Sequence, residues 1–410
     1  MTSTKVIKPF SSNWYVLLSF AVLAGISQML WLNFAPLISY LKSHYEVSES
    51  DINWLLIVFP LIYIVFSIHS GKVIDRAGYR FSILLGGIFM SVFSTIRIFD
   101  SSFSFLLIGQ VGIAIGQPYI LNAISSLVVD WFPKNKQATA TGIGTVGMFI
   151  GMAVALAGTP LLVAFFGFQP TLVIMAILTI LATLVFYFIG HHNSDFNRNS
   201  STSGSFSTTF KLLKNKNLLL LNIVSFLGLG VFNGLTSWLE QILKPYGISS
   251  EQAGIIGGTL IVGGIIGSIV IPMVSDKAGK RKPFLLITII GSLLLIYPVC
   301  TSGNFTFLIV IASVLGFIFL PAFALLLSAT EELVGEKVSG EATGLLLMAG
   351  NLGAVIVIGA MQLIKGEQST WNHSVFFILI LMLIGFFLMI SFEERACLVV
   401  DNKENDNELK

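Results

Sequence analysis

Gly71-Lys72-Val73-Ile74-Asp75-Arg76-Ala77-Gly78-Tyr79-Arg80 decides the fold, because a version of it occurs twice. The second copy is Pro272-Met273-Val274-Ser275-Asp276-Lys277-Ala278-Gly279-Lys280-Arg281, which sets the two aspartates 201 positions apart. Ala140-Thr141-Gly142 and Ala342-Thr343-Gly344 form another pair, 202 positions apart. Both offsets are close to half of the 410-residue chain. One half therefore repeats the plan of the other. A charged turn duplicated within an apolar chain points to a transporter built from two related bundles.

Composition sets the solvent. Hydrophobic residues make up 55% of the chain and charged ones 11%, against about 25% charged in a soluble domain. Most of the surface is expected to face lipid. The net charge of +2 identifies no partner, because in a membrane protein the loops that carry the charge matter more than the sum. Cys300 and Cys397 lie near the ends of different apolar segments, on opposite predicted sides. They are expected to stay unpaired as packing residues, with no metal-ligand spacing.

A helix needs about 20 apolar residues to cross the ~30 Å hydrocarbon layer. Stretches 14–38, 52–74, 81–99, 103–129, 138–165 and 170–189 meet or approach that length in the first half. Stretches 218–243, 253–275, 284–300, 305–329, 342–364 and 374–392 do so in the second. The expected fold is an all-α membrane protein of twelve transmembrane helices in two six-helix pseudo-symmetric bundles, 1–190 and 218–392. Residues 191–217, rich in Ser, Asn and Thr, read as a cytoplasmic linker, and 393–410 as a polar cytoplasmic tail. His191 and His192 read as interfacial residues at a helix end. With the N-terminus inside, only Lys42, Arg97, Lys244 and Lys365 of the 23 lysines and arginines fall outside. That asymmetry places both termini in the cytoplasm.

The repeated turn has a physical reading. Gly71 and Gly78 suit a tight turn or close helix approach. Asp75 can sit near the N-terminus of span eleven, whose partial positive charge favours an anion. Arg76 or Arg80 could reach Asp130 at the inner end of span four. The same roles fall to Asp276 and Lys277 in the second copy, where Pro272 replaces the first glycine. Glu331, Glu332, Glu336 and Glu341 crowd the loop before span eleven, as partners for nearby basic residues or as a solvated acidic loop. Topology charge alone is the competing reading of these residues.

Substrate is expected in the cavity between the bundles. Gln28, Trp31 and Ala35 share a face of span one by their i, i+3, i+7 spacing. Asn233, Thr236 or Ser237, and Glu240 do so on span seven. Span four offers Gln117 and Tyr119 around Pro118, which frees a backbone carbonyl and can kink the helix. Asn351 lies about 14 Å inward from Ala342, near mid-bilayer. No carboxylate sits centrally. Glu240, 22 residues beyond Leu218, comes about 33 Å along the helix, at the outer rim. It is the one candidate for coupling, and facilitated movement is favoured over proton coupling. Arg97 lies near the outer end of span three with Asp100 as a possible partner. Trp31 could hold a cation against its ring face, or anchor the span in the interfacial aromatic belt.

Gly71-x-x-x-Asp75-Arg76-x-Gly78-x-Arg80, with its Asp276-Lys277-x-Gly279 copy, resembles the signature loop of the major facilitator superfamily. The resemblance covers the twelve spans, the half-repeat and the central linker, and implies that these loops latch the halves in the outward-open state. Span five carries Gly142-x-Gly144-x-x-Gly147-x-x-x-Gly151. The internal Gly-Pro pair of antiporters in the superfamily is interrupted here as Gly158-Thr159-Pro160. Several shorter stretches are similar to the feline leukaemia virus subgroup C receptor-related family. They include Gln28-Met29-Leu30-Trp31-Leu32-Asn33, Trp131-Phe132-Pro133, Gly230-Val231-Phe232-Asn233, Trp238-Leu239-Glu240-Gln241, Leu320-Pro321 and Gly344-Leu345-Leu346. That resemblance implies choline, ethanolamine or haem movement and an aromatic cage for an ammonium head. Trp31 falls on the cage tryptophan, Asn233 where the family has a tyrosine, and Phe149 and Asn351 where it has glutamines.

The expected function is movement of a small polar or cationic organic metabolite by rocker-switch alternating access. A proton-coupled exporter of drugs or metabolites is the alternative, and a transporter-like receptor a third reading. No H-E-x-x-H pair, G-x-S-x-G turn or Gly-Lys-Ser/Thr phosphate loop occurs, so neither enzyme chemistry nor ATP drive is expected. Expected partners are a small-molecule substrate and the lipid bilayer, with no nucleic acid, cofactor or metal, and the chain is expected to act as a monomer. Asn304-Phe305-Thr306 and Asn372-His373-Ser374 match glycosylation acceptors but abut spans. A bacterial cytoplasmic membrane is the expected location.

Overall fold

The computed structural model describes residues 13–190, 214–334, 339–368 and 370–394, leaving aside the side chains of Asp75, residues 134–139 and residues 339–341. The readings of Asp75's side chain, His191, His192, Glu336, Glu341 and Cys397 fall outside these bounds. Every regular element among the described residues is helical. Twelve helical spans are long and apolar enough to cross a membrane. Those of the first half are Trp14–Tyr45, Glu49–Ile74, Tyr79–Ile96, Phe103–Trp131, Ala140–Phe166 and Phe168–Ile189. Those of the second are Lys216–Tyr246, Ser250–Ala278, Lys282–Thr301, Phe305–Val334, Ala342–Lys365 and Asn372–Ile390. Large apolar side chains such as Val65, Ile88, Leu294, Leu363 and Phe387 are exposed around the outside, a surface suited to lipid rather than water.

Local chemistry fixes where spans begin and end, and it repeats between halves. Ser48 starts span two by accepting the Asp51 amide while Asp51 takes the Ser48 amide. Ser249 and Gln252 do the same for span eight, 201 positions later. Each capping box satisfies two helix-end donors. Asn304, one of the glycosylation matches, caps span ten by accepting the Phe307 amide at 3.1 Å. The glycines of the doubled motif terminate spans two and eight: Gly78 has φ 91° and Gly279 φ 61°. A β-carbon is strained in that left-handed region, which explains why both copies keep glycine there.

Four spans are interrupted. Span one breaks after Leu32 into a tight turn containing Pro36, then resumes at Ile38. Span four breaks between Leu121 and Ile124, just beyond Pro118, and span ten between Phe319 and Pro321. Span five widens into a π segment at Val154–Gly158, immediately before Thr159-Pro160. A proline lacks the amide that the preceding turn requires, so each break lies beside a proline.

Small residues set the closest contacts. A β-carbon on Gly151 would overlap the Gly25 carbonyl, locking span five to span one. In the second half a β-carbon on Gly353 would overlap the Phe226 carbonyl, locking span eleven to span seven. Spans eight and ten meet through Gly263, Gly267 and Gly316 in the same backbone-to-backbone fashion. The counterpart pair in the first half, spans two and four, is joined by side chains instead. Tyr63 donates to Asn122 at 2.6 Å, and Asn122 donates to Ser70 at 2.8 Å. Without water in the bilayer core, polar groups must be satisfied within the protein.

Candidate functional site

A cavity of ≈ 190 Å³ opens between the two bundles. Span one supplies Gln28 and Trp31, span five Thr145, Met148, Phe149 and Met152, and span seven Leu229, Phe232 and Asn233. Span ten closes it with Phe319, Leu320, Phe323 and Leu326, on both sides of its proline break. No charged side chain is among these lining residues. Trp31 stands 6.2 Å from Phe59, centroid to centroid, and its indole N–H points to the Leu56 carbonyl at 3.5 Å. The wall is therefore aromatic, aliphatic and thioether, punctuated by two primary amides and the Thr145 hydroxyl, which donates to the Thr141 carbonyl at 3.0 Å.

The residues singled out in the sequence divide between this wall and other duties. Gln28, Trp31, Phe149 and Asn233 line the cavity. Gln117 is buried and donates to Ser27 Oγ at 3.4 Å, joining span four to span one. Tyr119 hydrogen-bonds His69 at 2.6 Å, away from the cavity wall. Ser237 is buried, and its hydroxyl has no hydrogen-bond partner among the described residues. Asn351 donates to the Leu347 carbonyl one turn back, at 2.9 Å. Ala35 leaves the Gln28–Trp31 face because the helix has already broken, and it is buried in the turn that follows. Met148 and Met152, one helical turn apart on span five, and the aromatics of span ten were not singled out. Their apolar character does not separate them from lipid-facing residues.

Glu240 is not on the cavity wall. It is 3% exposed and accepts from the Ser39 amide at 3.3 Å, Ser250 Oγ at 3.0 Å and Gln241 Nε2 at 2.7 Å. Gln241 and Lys244 also donate to Ser39 Oγ, at 2.9 and 2.8 Å. Ser39 belongs to span one and the others to spans seven and eight, so the cluster ties the halves together. Beside it, Lys365 of span eleven pairs with Glu49 of span two at 2.9 Å, and Gln362 donates to Ser50 at 3.0 Å. Gly254 of span eight packs against the Leu156 carbonyl of span five. The Glu240 end of the molecule is closed.

The opposite end carries the doubled motif, and there the described polar contacts stay within each half. Arg80 donates to the Tyr187 carbonyl at 3.2 Å, with its guanidinium 6.0 Å from that ring's centroid. Arg281 pairs with Asp276 at 2.5 Å and Glu332 at 2.8 Å. Burial opposes the Arg281 charge, but the hydrogen bonds it donates to Glu332 and Asp276 outweigh it and raise its pKa above the ordinary value. Asp130 is buried at the end of span four, beside Trp131, whose indole donates to Tyr79 at 2.8 Å. Gly71 and Gly344 sit in helices with nothing within 4 Å of where a β-carbon would stand.

Two ionisable residues have surroundings that the sequence does not disclose. Arg97 is 1% exposed and donates to Gln110 Oε1 at 2.7 Å, rather than pairing with Asp100, and lies 5.1 Å from the Phe34 ring centroid. The amide oxygen and the ring face compensate a buried cation without a carboxylate. His69, not singled out in the sequence, is an imidazole inside span two bonded to the Tyr119 hydroxyl.

The comparisons agree with this geometry. The Danio rerio Choline/ethanolamine transporter flvcr2a is 24% identical over 393 residues, 90% of this chain and 83% of that protein. A Danio rerio Solute carrier family 49 member A3 is 28% identical over 291 residues, and the match spans 60% of that relative. An uncharacterized protein of Archaeoglobus fulgidus is 31% identical over 229 residues, 54% of this chain and all of that one. Among solved structures, the nucleoside transporter NupG superposes with a TM-score of 0.74 at 15% identity, covering 92% of this chain and 99% of NupG. A bacterial homolog of the human lysosomal transporter Spinster, inward-facing and unoccupied, gives 0.72 at 18% identity, covering 94% and 98%. These likenesses show the fold. The Major Facilitator Superfamily profile matches residues 20–358 and, overlapping them, 239–406, so the chain that repeats its charged loop across two six-helix bundles belongs to the major facilitator superfamily of membrane transporters.

Proposed function

We propose that this transporter moves a small organic cation with a largely apolar body across the cytoplasmic membrane, as a facilitator working by alternating access. The observation that carries the reading is the cavity itself: the aromatic side chains of Trp31, Phe149 and Phe232, two amides, and no charged residue on the wall. Aromatic quadrupoles attract a cation within about 6 Å without a carboxylate. The flvcr2a relative, a choline/ethanolamine transporter, supports the same class. The lysine and arginine asymmetry puts the motif end and both termini in the cytoplasm. On that orientation the structure is inward-open, closed outside by the Glu240 cluster, and the motif loops latch the opposite state. The protein acts as a monomer.

The test is uptake into proteoliposomes, alongside thermal stabilisation, with a panel of amines, quaternary ammoniums, organic anions and drugs. Binding to the folded state alone raises its stability by mass action. Stabilisation by ammonium compounds that disappears in Trp31→Ala is expected; stabilisation by anions alone overturns the reading.

One observation favours the proton-coupled exporter as a second reading. His69 and Tyr119 form an ionisable pair inside the membrane-spanning region, and intramembrane ionisable groups are functional candidates by default. Uptake driven by an imposed pH gradient, and abolished in His69→Gln, would replace the facilitator with this mechanism.

A further inference from the structure

The two amides on the cavity wall are each left with an acceptor that nothing in the described structure satisfies. The Asn233 amide nitrogen donates to the Leu229 carbonyl at 2.8 Å, which fixes the orientation of the group and leaves Oδ1 as its unpaired atom. Thr236, one turn further along, spends its hydroxyl on the Phe232 carbonyl at 2.8 Å. Its proton is shared with the Asn233 backbone carbonyl at 3.3 Å, and none is left for the Asn233 side-chain oxygen. On span one, the Gln28 amide nitrogen reaches only the Met148 sulfur at 3.9 Å, and Oε1 is unpaired. Both residues are more than nine-tenths buried, at 5% and 7% exposure. A buried acceptor without a donor is costly. Here two occur at one cavity, one from each half.

Resting on the organic-cation reading above, we propose that Asn233 and Gln28 make the cavity selective for ammonium groups that carry an N–H, over quaternary ammoniums of the same body. The rings of Trp31, Phe149 and Phe232 attract either kind of cation, so they do not discriminate. The free carbonyl oxygens do. Both oxygens are shielded within the wall in the described state, so a ligand reaches them by a side-chain rotation. A protonated primary or tertiary amine then donates to them, whereas a quaternary nitrogen has no hydrogen to give and leaves them desolvated. Burial of one more methyl group works in the other direction, favouring the quaternary compound about fourfold. A hydrogen bond from a charged donor is worth about tenfold or more, so the N–H wins. Each half contributes one acceptor, so a ligand that meets both also bridges the halves.

The experiment compares N,N-dimethylethanolamine with choline, which differ by one methyl and the N–H. Dissociation constants are measured by calorimetry on the detergent-purified full chain at pH 7. The wild-type protein is expected to bind the tertiary amine at least tenfold tighter than choline. In Asn233→Leu the preference is expected to fall severalfold, and in the double variant Asn233→Leu/Gln28→Met to invert to a severalfold preference for choline. Asn233→Leu removes the unpaired oxygen together with the amide's bond to the Leu229 carbonyl, two effects of opposite sign on folding, and the ligand-free melting temperature checks that the variant folds. Gln28→Met gives a second, independent readout and should narrow the ratio. Equal or tighter wild-type binding of choline overturns the selectivity and leaves the cation reading standing. Binding of neutral or anionic solutes with no response to either amine overturns both.

Discussion

The two ends of the bundle are held in opposite ways. At the Glu240 end, three pairs of spans are joined across the halves: one and seven through Ser39, two and eleven through Glu49 and Lys365, five and eight through Leu156 and Gly254. At the motif end, Arg80 and Arg281 are engaged with their own halves, on Tyr187 and on Glu332. The more distinctive sequence thus lies at the end that is not holding this state. On the proposed reading that the motif latches the opposite state, it serves a conformation other than the one in view, whereas the present one is held by Ser39, Gln241, Lys244 and Lys365 around Glu240 and Glu49. Alternating access requires that neither end be permanently closed, since a population shift needs two states separated by only a few kcal/mol.

The comparison is broken most directly at Glu240. Its replacement by Ala leaves the Ser39 amide, Ser250 and Gln241 without their shared acceptor. Hydrogen bonds to a buried carboxylate contribute about 1.5–3 kcal/mol each in the closed state, and only the Ser39 bond crosses the halves. We expect a shift of about 2 kcal/mol away from the described state, read as a longer distance between spin labels placed across the Glu240 end. An unchanged distance distribution would show that the cluster decorates the closed end without holding it.

Lys365→Ala should act in the same direction and less strongly. Its pair with Glu49 is only 14% and 16% exposed on the two side chains, yet Glu49 keeps a second partner, Lys42, at 3.1 Å in its own half. About 1 kcal/mol is expected, diminishing at high salt. Lys42→Ala is the sharper half of this test. It removes a charge pair of the same chemistry that does not cross the halves, so it should leave the label distances unchanged.

These contacts also mark the limit of what the chain alone discloses. Span positions follow from apolar length, and their starts from caps such as Ser48 and Ser249, because those signals are local. The polar residues of the cavity are harder. Helical spacing groups Gln28 with Trp31 on one face, but it does not say which face meets the opposite half. Asn233 and Asn351 illustrate the difficulty: both donate to the carbonyl one turn back, and only Asn233 lines the cavity. Ser39 was not legible because it lies beyond a helix break at Pro36 and because its partners are some 200 positions away. The buried Arg97 found an amide and a ring face where charge arithmetic proposed Asp100.

At the open end the expected sign reverses. Gly71 and Gly344 lie in helices with space around them, so Ala at either position should stabilise the described state by about 0.5–1 kcal/mol through lower chain entropy alone. The same substitutions should slow transport if backbones must approach there when the motif end closes. A rise in melting temperature with reduced uptake is the expected pair of results. Higher stability with full uptake would show that no close approach occurs at these glycines.

The smallest effect is expected from the motif arginines, and its sign carries the information. In the described state Arg80 and Arg281 make partly exposed contacts within their own halves, worth no more than about 1 kcal/mol each. Arg80→Gln and Arg281→Gln should therefore scarcely alter the fold's stability. If the motif loops latch the opposite state, the same variants also remove the interactions that hold the halves together there, and the population moves further toward an open motif end. Labels across the motif end read the outcome: a shift to longer distances supports the latch. A shift to shorter ones means that the arginines keep this end apart, and the doubled loop then acts as a wedge between the halves.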